Sequence, residues 1–219
     1  MVLRILQGAG NFRDTLLLAR HEVVDGISAD LWVRDGEAFV HHARRLGPLR
    51  FTVSRAGIRR YERDRVAVED VMRAAEGRLL VLDVRSEGGD PAPEIARIVY
   101  PLHDRSRIVV ACEDRGLMDR LRAWQPDLPV AHALPTEGAL HRYIQGRING
   151  SLPAMPVLVP ETLLHTRLEL ESLSTHAASV GVRNVRTPAR AADLAAWGAD
   201  LLMGGTLEVL AAVPSAAPA

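Results

Sequence analysis

The sequence predicts an α/β protein of the (β/α)8 TIM-barrel class, with short loops. Three observations carry that expectation. Short runs rich in Val, Ile and Leu alternate with longer amphipathic stretches about eight times along the chain, the pattern of a parallel sheet covered by helices. The eight main runs contain no antiparallel pair, which favours closure into a barrel over an open sheet. No Gly-x-Gly-x-x-Gly turn follows the first run, so the open dinucleotide-binding sheet lacks its usual phosphate turn.

The expected strands are Leu3–Gln7, Ile27–Val33, Leu79–Val84, Ile108–Cys112, Val130–Leu134, Pro153–Val157, Val182–Val185 and Leu201–Gly204. An extra extended piece, Ala38–His42, should pair locally after the turn at Arg34-Asp35-Gly36. Helical patterns fall at Thr15–Val24, Val68–Ala75, Pro93–Val99, Gly116–Trp124, Thr136–Gln145, Leu168–Val180 and Ala189–Trp197. The last is representative: Ala191, Leu194 and Ala195 share one face, with Arg190 and Asp193 on the other. Gly77, Gly146, Gly181 and Gly198 stand where left-handed helix caps would be expected. One domain should span 1–213, with 214–219 as a disordered tail.

Composition narrows the function. The chain has 219 residues, with 27 basic and 27 acidic side chains and a sequence pI near 7.1. That balance argues against a nucleic-acid surface or a polybasic membrane clamp. Every basic residue is arginine, which excludes Schiff-base lysines and lysine-dependent phosphate loops. A single cysteine, Cys112, excludes an internal disulfide framework and a cysteine-rich zinc site. No apolar run reaches the roughly 18 to 20 residues that span a bilayer. A cytoplasmic protein of unspecified oligomeric state is the expectation.

In such a barrel the working residues stand just past the carboxyl ends of the strands. Those positions hold Gln7 and Gly8, Ser28 and Asp30, His42, Asp83 and Arg85, Glu113 and Asp114, then Asn184 and Arg186. Ser28 and Asp30 are two apart on one strand and share a face, as do Asp83 and Arg85. Carboxylates, a histidine and arginines converging on one face suit a phosphate ester, with or without a divalent cation. Plainer roles stand beside these. His42 could equally be a partly buried histidine bonded to a loop carbonyl, and His41 should be structural. Asp30 and Asp83 could equally be paired with Arg13 or Arg85. Gln7 could simply close the mouth with hydrogen bonds.

The order of features resembles the glycerophosphodiester phosphodiesterases, over about Arg4 to Val213. The strongest piece is Asp25-Gly26-Ile27-Ser28-Ala29-Asp30-Leu31-Trp32, followed by Arg34-Asp35-Gly36 and Val40-His41-His42. Leu79-Leu80-Val81-Leu82-Asp83-Val84-Arg85 looks like the family's Glu-x-Lys strand. Gly181–Val185 with Ala191–Leu202 is similar to its carboxy-terminal strand, helix and Gly-x-Asp-Gly strand. The resemblance implies hydrolysis of glycerol-phospho-alcohol diesters to glycerol 3-phosphate and an alcohol. It implies His42 as acid or base, and Mg or Ca held by Asp30 and Asp83. It also implies a small phosphodiester or phosphate-bearing ligand held by Arg85, with Arg13, Arg186 and Gln7 nearby.

Several family positions are changed. Gln7-Gly8-Ala9 stands where the family has His-Arg-Gly, and glutamine cannot shuttle a proton. Ser28 replaces the first metal carboxylate, Asp83 shortens the third, and Ala43 replaces the aspartate after His42. Arg13-Asp14-Thr15 keeps only the threonine of Glu-Asn-Thr. Arg183-Asn184-Val185-Arg186 stands for Trp-Thr-Val-Asn, and Gly205-Thr206-Leu207 for Asp-Arg-Pro. Together these predict a phosphate-friendly mouth with a poor or absent metal site, and open the alternative of a non-catalytic barrel that binds a phosphorylated metabolite or a protein partner.

Overall fold

The computed structural model describes residues 1–34, 36–41, 66–85, 90–100 and 105–214, with the backbone alone for 44–45, 51–54, 57–60 and 86. The expected tail at 215–219 lies outside the described residues, as do His42, Ala43 and Asp35. Eight parallel strands close on themselves: β1 (Leu3–Leu6), β2 (Gly26–Arg34), β7 (Leu79–Ser86), β8 (Ile108–Cys112), β9 (Val130–Ala133), β10 (Pro156–Pro160), β11 (Ser179–Val185) and β12 (Leu201–Gly204). Closure comes from β1, which pairs with β12 on one side and β2 on the other. The hairpin strand β3 (Glu37–Val40) runs antiparallel to β2. A separate three-stranded sheet, β4 (Arg44–Arg45), β5 (Phe51–Ser54) and β6 (Gly57–Arg60), follows it, and nothing in the sequence reading anticipated it.

Helices α1 (Arg13–Leu16), α2 (Val68–Ala74), α3 (Ala92–Val99), α4 (Arg115–Trp124), α5 (Glu137–Ile148), α6 (Arg167–His176), α7 (Pro188–Ala196) and α8 (Leu207–Ala211) return the chain between strands or follow the last one. The caps explain their starts. Thr136, Thr166, Thr187 and Thr206 each accept a backbone N–H of their own first turn, satisfying donors the helix cannot. Glu113 and Asp114 alone link β8 to α4, and Gly205 and Thr206 alone link β12 to α8. Among the described residues no helix is long and apolar enough to cross a membrane.

Strand alternation divides the apolar residues into two cores. The larger lies between barrel wall and helices, with Ile27, Leu31, Leu82, Met118, Leu170 and Leu194 among its members. The smaller fills the lumen with Ile5, Val81, Ala111, Ala131, Leu158 and Met203, as the interior of a small barrel requires. The next inward positions above it are the polar ones.

At the opposite, amino end, Arg4 and Asp25 lock β1 to the start of β2. The Arg4 Nε and Nη2 atoms donate to the Asp25 carboxylate at 2.9 and 3.0 Å, and the Arg4 backbone N–H adds a third bond at 2.9 Å. Burial pushes the Asp25 carboxyl up, but the three Arg4 bonds outweigh it and hold it below its usual value. A carboxyl lowered on folding contributes stability above its unfolded pKa and loses it as pH falls through the folded one. Asp25→Asn is therefore expected to cost about 1–2 kcal/mol at neutral pH. In urea unfolding the variant and wild type should converge in acid; a gap that persists there would show that charge is not the cause.

Candidate functional site at the carboxyl end of the barrel

Inward residues of β7 and β11 meet across the mouth. The Asp83 Oδ2 atom accepts from Arg85 Nη2 at 2.8 Å and from Arg183 Nη1 at 3.3 Å. Its Oδ1 atom is buried and has no hydrogen-bond partner, and Arg183 Nε is in the same position. Arg85 spans two acids, since its Nη1 donates to Glu113 Oε1 at 3.2 Å. Burial pushes the Asp83 carboxyl above its usual value, against the pull of Arg85 and Arg183, and Asp30 and Glu113 push the same way as burial. Arg85 feels burial too, but Asp83, Asp30 and Glu113 together hold its guanidinium more firmly protonated than usual.

On the neighbouring wall, β2 is held by the turn after β1. Gly8, at φ 73°, takes the left-handed conformation that glycine adopts without strain. Its N–H donates to Ser28 Oγ at 2.9 Å. The 3-10 turn Ala9–Asn11 then aims Asn11 at Asp30. Asn11 Nδ2 donates to Asp30 Oδ2 at 2.9 Å, and Asp30 N–H donates back to Asn11 Oδ1 at 2.7 Å. A second reciprocal pair closes the rim: Gln7 Nε2 donates to Asn184 Oδ1, and Asn184 N–H to Gln7 Oε1, both at 2.7 Å. Asn184 has φ 61° and lies within a register shift between β11 and β12; asparagine tolerates that conformation better than most side chains.

The structure thus brings Asp30, Asp83 and Arg85 together, as the sequence suggested, and ties Gln7 into the rim. Arg186 stands at that rim, largely exposed, 3.8 Å from the Glu161 carboxylate. Arg13 goes elsewhere. It lines a cleft with Leu17 of the following 3-10 turn and Asp70 and Arg73 of α2, because the turn after Gly8 points Asn11 inward and carries Arg13 outward. His42 lies outside the described residues. Its neighbour His41 is buried, with its N–H on the Asp30 carbonyl and its own carbonyl accepting from Trp32 Nε1 at 2.8 Å. Two contributors went unnoticed in the sequence as parts of the mouth. Asn11 sits in a stretch with no motif, and Arg183 is identifiable only by its inward parity with Gly181.

A divalent cation wants six or more oxygen ligands, with carboxylates supplying charge. The described donors do not fit one. One oxygen of Asp30 is engaged by Asn11, one of Asp83 holds two guanidiniums, and Ser28 offers only a hydroxyl that already accepts from Gly8. Among the described residues no three His, Cys, Asp or Glu side chains could hold a metal together. The guanidiniums of Arg85 and Arg183 are groups that recognise oxyanions.

Fold and mouth together define a (β/α)8 barrel with an arginine–carboxylate layer above an apolar lumen. No protein-family model and no curated protein matches the sequence. Solved structures match nearly end to end. A glycerophosphoryl diester phosphodiesterase from Agrobacterium tumefaciens C58 is 12% identical with a TM-score of 0.74, covering 97% of this chain and 96% of that one. One from Silicibacter pomeroyi DSS-3 is 14% identical with a TM-score of 0.71, covering 96% and 92%. An Oleispira antarctica phosphodiesterase, in complex with the product sn-glycerol-3-phosphate, is 12% identical with a TM-score of 0.69 and covers 97% of each. The chain shares the barrel fold of these phosphodiesterases.

Proposed function

We propose that this chain is a glycerophosphodiester phosphodiesterase-like protein that takes a glycerol-phospho-alcohol diester at its barrel mouth and releases glycerol 3-phosphate and an alcohol. The observation that supports this most is the convergence of Arg85 and Arg183 on one carboxylate of the inward layer. A phosphate oxyanion competes for the same two guanidiniums. His42 is the residue left to serve as acid or base, since a glutamine stands at position 7. With one acid/base group where two would act, turnover should run about 10²- to 10⁴-fold below a fully equipped site. The reaction should be indifferent to chelation, because arginines take the place of added positive charge. The setting is the cytoplasmic one expected from the sequence.

A second reading, binding without turnover, is favoured by the Gln7–Asn184 lock, which occupies the polar atoms of Gln7. One experiment separates the two. Hydrolysis of glycerophosphocholine and glycerophosphoethanolamine is measured with Mg²⁺, Ca²⁺, Mn²⁺ or EDTA, beside His42→Ala, while calorimetry follows glycerol 3-phosphate binding. Slow turnover that survives EDTA and disappears in His42→Ala is the expected result. Binding without hydrolysis would leave the second reading standing. In either case Arg85→Gln should weaken glycerol 3-phosphate binding about tenfold; an unchanged affinity would remove the mouth as the phosphate site.

A further inference from the structure

Outside the barrel wall, a cleft of about 530 Å³ opens between α4 and α5. Helix α4 packs on α3, and α5 on α6, but α4 and α5 barely touch each other. The space between them has the size of a small-molecule site. Its floor is His132, whose place beside the lumen residue Ala131 turns its ring away from the barrel interior. The ring meets Tyr143 edge-on, with centroids 5.9 Å apart. Its Nδ1 atom is buried and without a hydrogen-bond partner. Burial keeps the imidazole less basic than usual, against a smaller upward pull from the Glu113 backbone, so at neutral pH the ring is an uncharged hydrogen-bonding group.

Two arginines flank this floor, and neither is tightly held. Arg115 reaches the Ser151 carbonyl at 3.3 Å and lies 3.8 Å from Asp119. Arg142, on the exposed side of α5, makes no ion pair among the described residues. The one carboxylate lining the cleft, Glu113, is already occupied by Arg85 from the mouth. Ala139, Tyr143 and Leu152 supply apolar wall between the charges. An unpartnered ring nitrogen, two available guanidiniums and an apolar wall fit one kind of occupant.

We propose that the cleft between α4 and α5 is a second ligand site, adjoining the barrel mouth through Glu113, for a small organic oxyanion with a flat apolar body. Arg142 and Arg115 hold the oxyanion, and the His132 Nδ1 atom makes the directional bond on the floor. Carboxylates and phosphate monoesters share that chemistry, and the probes distinguish them.

Calorimetric titration with phenyl phosphate, and separately with benzoate, tests this in the wild-type protein and in an Arg85→Gln background that weakens the mouth. Beside the weakened mouth, one site that does not depend on Arg85 is expected for at least one probe. Arg142→Gln should weaken it about tenfold and Arg142→Lys should restore part of the loss. Both substitutions fall on an exposed, unpaired side chain, so circular dichroism should show an unchanged fold. His132→Asn, checked the same way, should also weaken the site. Equal affinity with and without Arg142, or no binding of either probe beyond the site that Arg85→Gln weakens, would overturn the proposal.

Discussion

Asp83→Asn is expected to tighten the binding of glycerophosphocholine about tenfold, at a cost in folding stability because the buried Arg183 is left without its counter-ion. Both effects follow from what surrounds the carboxylate. Its attraction to Arg85 and Arg183 is offset by burial, which already pushes its pKa above the usual carboxylate value. Removing the charge frees two guanidiniums for a phosphate. In a carboxylate-held metal centre the same substitution would weaken binding, so weaker binding in calorimetry would sink this account of the mouth. The pH dependence has a defined sign. A carboxyl raised on folding takes its proton at a higher pH in the folded state than in the unfolded one. Its contribution to stability is therefore lost as pH rises through the folded pKa, the reverse of Asp25. Wild-type affinity for a diester, whose phosphate stays anionic, should rise as pH falls through that value, and the Asp83→Asn variant should not follow it.

The largest effect on stability is expected from Gly26→Ala. Gly26 lies at the seam where β1 meets β2, with only two register pairs, Ile5↔Gly26 and Leu6↔Ile27. A Cβ there would stand 2.3 Å from the Leu79 carbonyl oxygen and 2.8 Å from Ile5 Cδ1. The Ile5 contact can relax by side-chain rotation, but the carbonyl belongs to β7 backbone that pairs with β2 over eight positions. Moving it disturbs the longest ladder of the barrel. Overpacking of this kind costs about 3 kcal/mol. A fall of that size in the free energy of urea unfolding checks it, and a loss below about 1 kcal/mol would mean the seam yields easily. Gly181→Ala is a useful contrast: its added Cβ would meet the end of the Leu158 side chain at 2.3 Å, which can turn aside.

The barrel was legible because its signal is periodic and repeated. Six strands fall within two residues of expectation at each end, Ile108–Cys112 and Leu201–Gly204 without any shift. Others slipped where periodicity is silent. The strand expected at Pro153–Val157 is Pro156–Pro160, because one apolar run extends past both ends and only pairing with Ser179–Arg183 sets its start. The helix expected over Thr15–Val24 breaks into α1 and a 3-10 turn, Leu17–Arg20. Gly77 and Gly198 do end helices at positive φ. Gly146 lies within α5 and Gly181 within β11, each packed against leucine. A glycine chosen for lack of a Cβ reads the same in sequence as one chosen for a left-handed turn.

The site was less legible than the fold, for a geometric reason. Asp83 and Arg85 share a strand, so their pairing follows from spacing alone. Arg183 reaches the same carboxylate across 100 residues of chain, and Asn11 reaches Asp30 from a turn whose shape depends on Gly8. Side-chain partners that converge through barrel closure leave no local pattern. Arg13 showed the converse, since a charge two residues from Asn11 points out of the mouth.

The bond between Gln7 and Asn184 joins residues 177 positions apart, and β1 finds its outer partner only in β12. During synthesis the first strand of the barrel must wait while the ribosome adds that length of chain, on the order of ten seconds or more. For that interval Leu3–Leu6, apolar but for Arg4, is a strand with one side unpaired, an invitation to non-native pairing. The barrel can acquire its wall in chain order, but its mouth exists only once the last strands have been made.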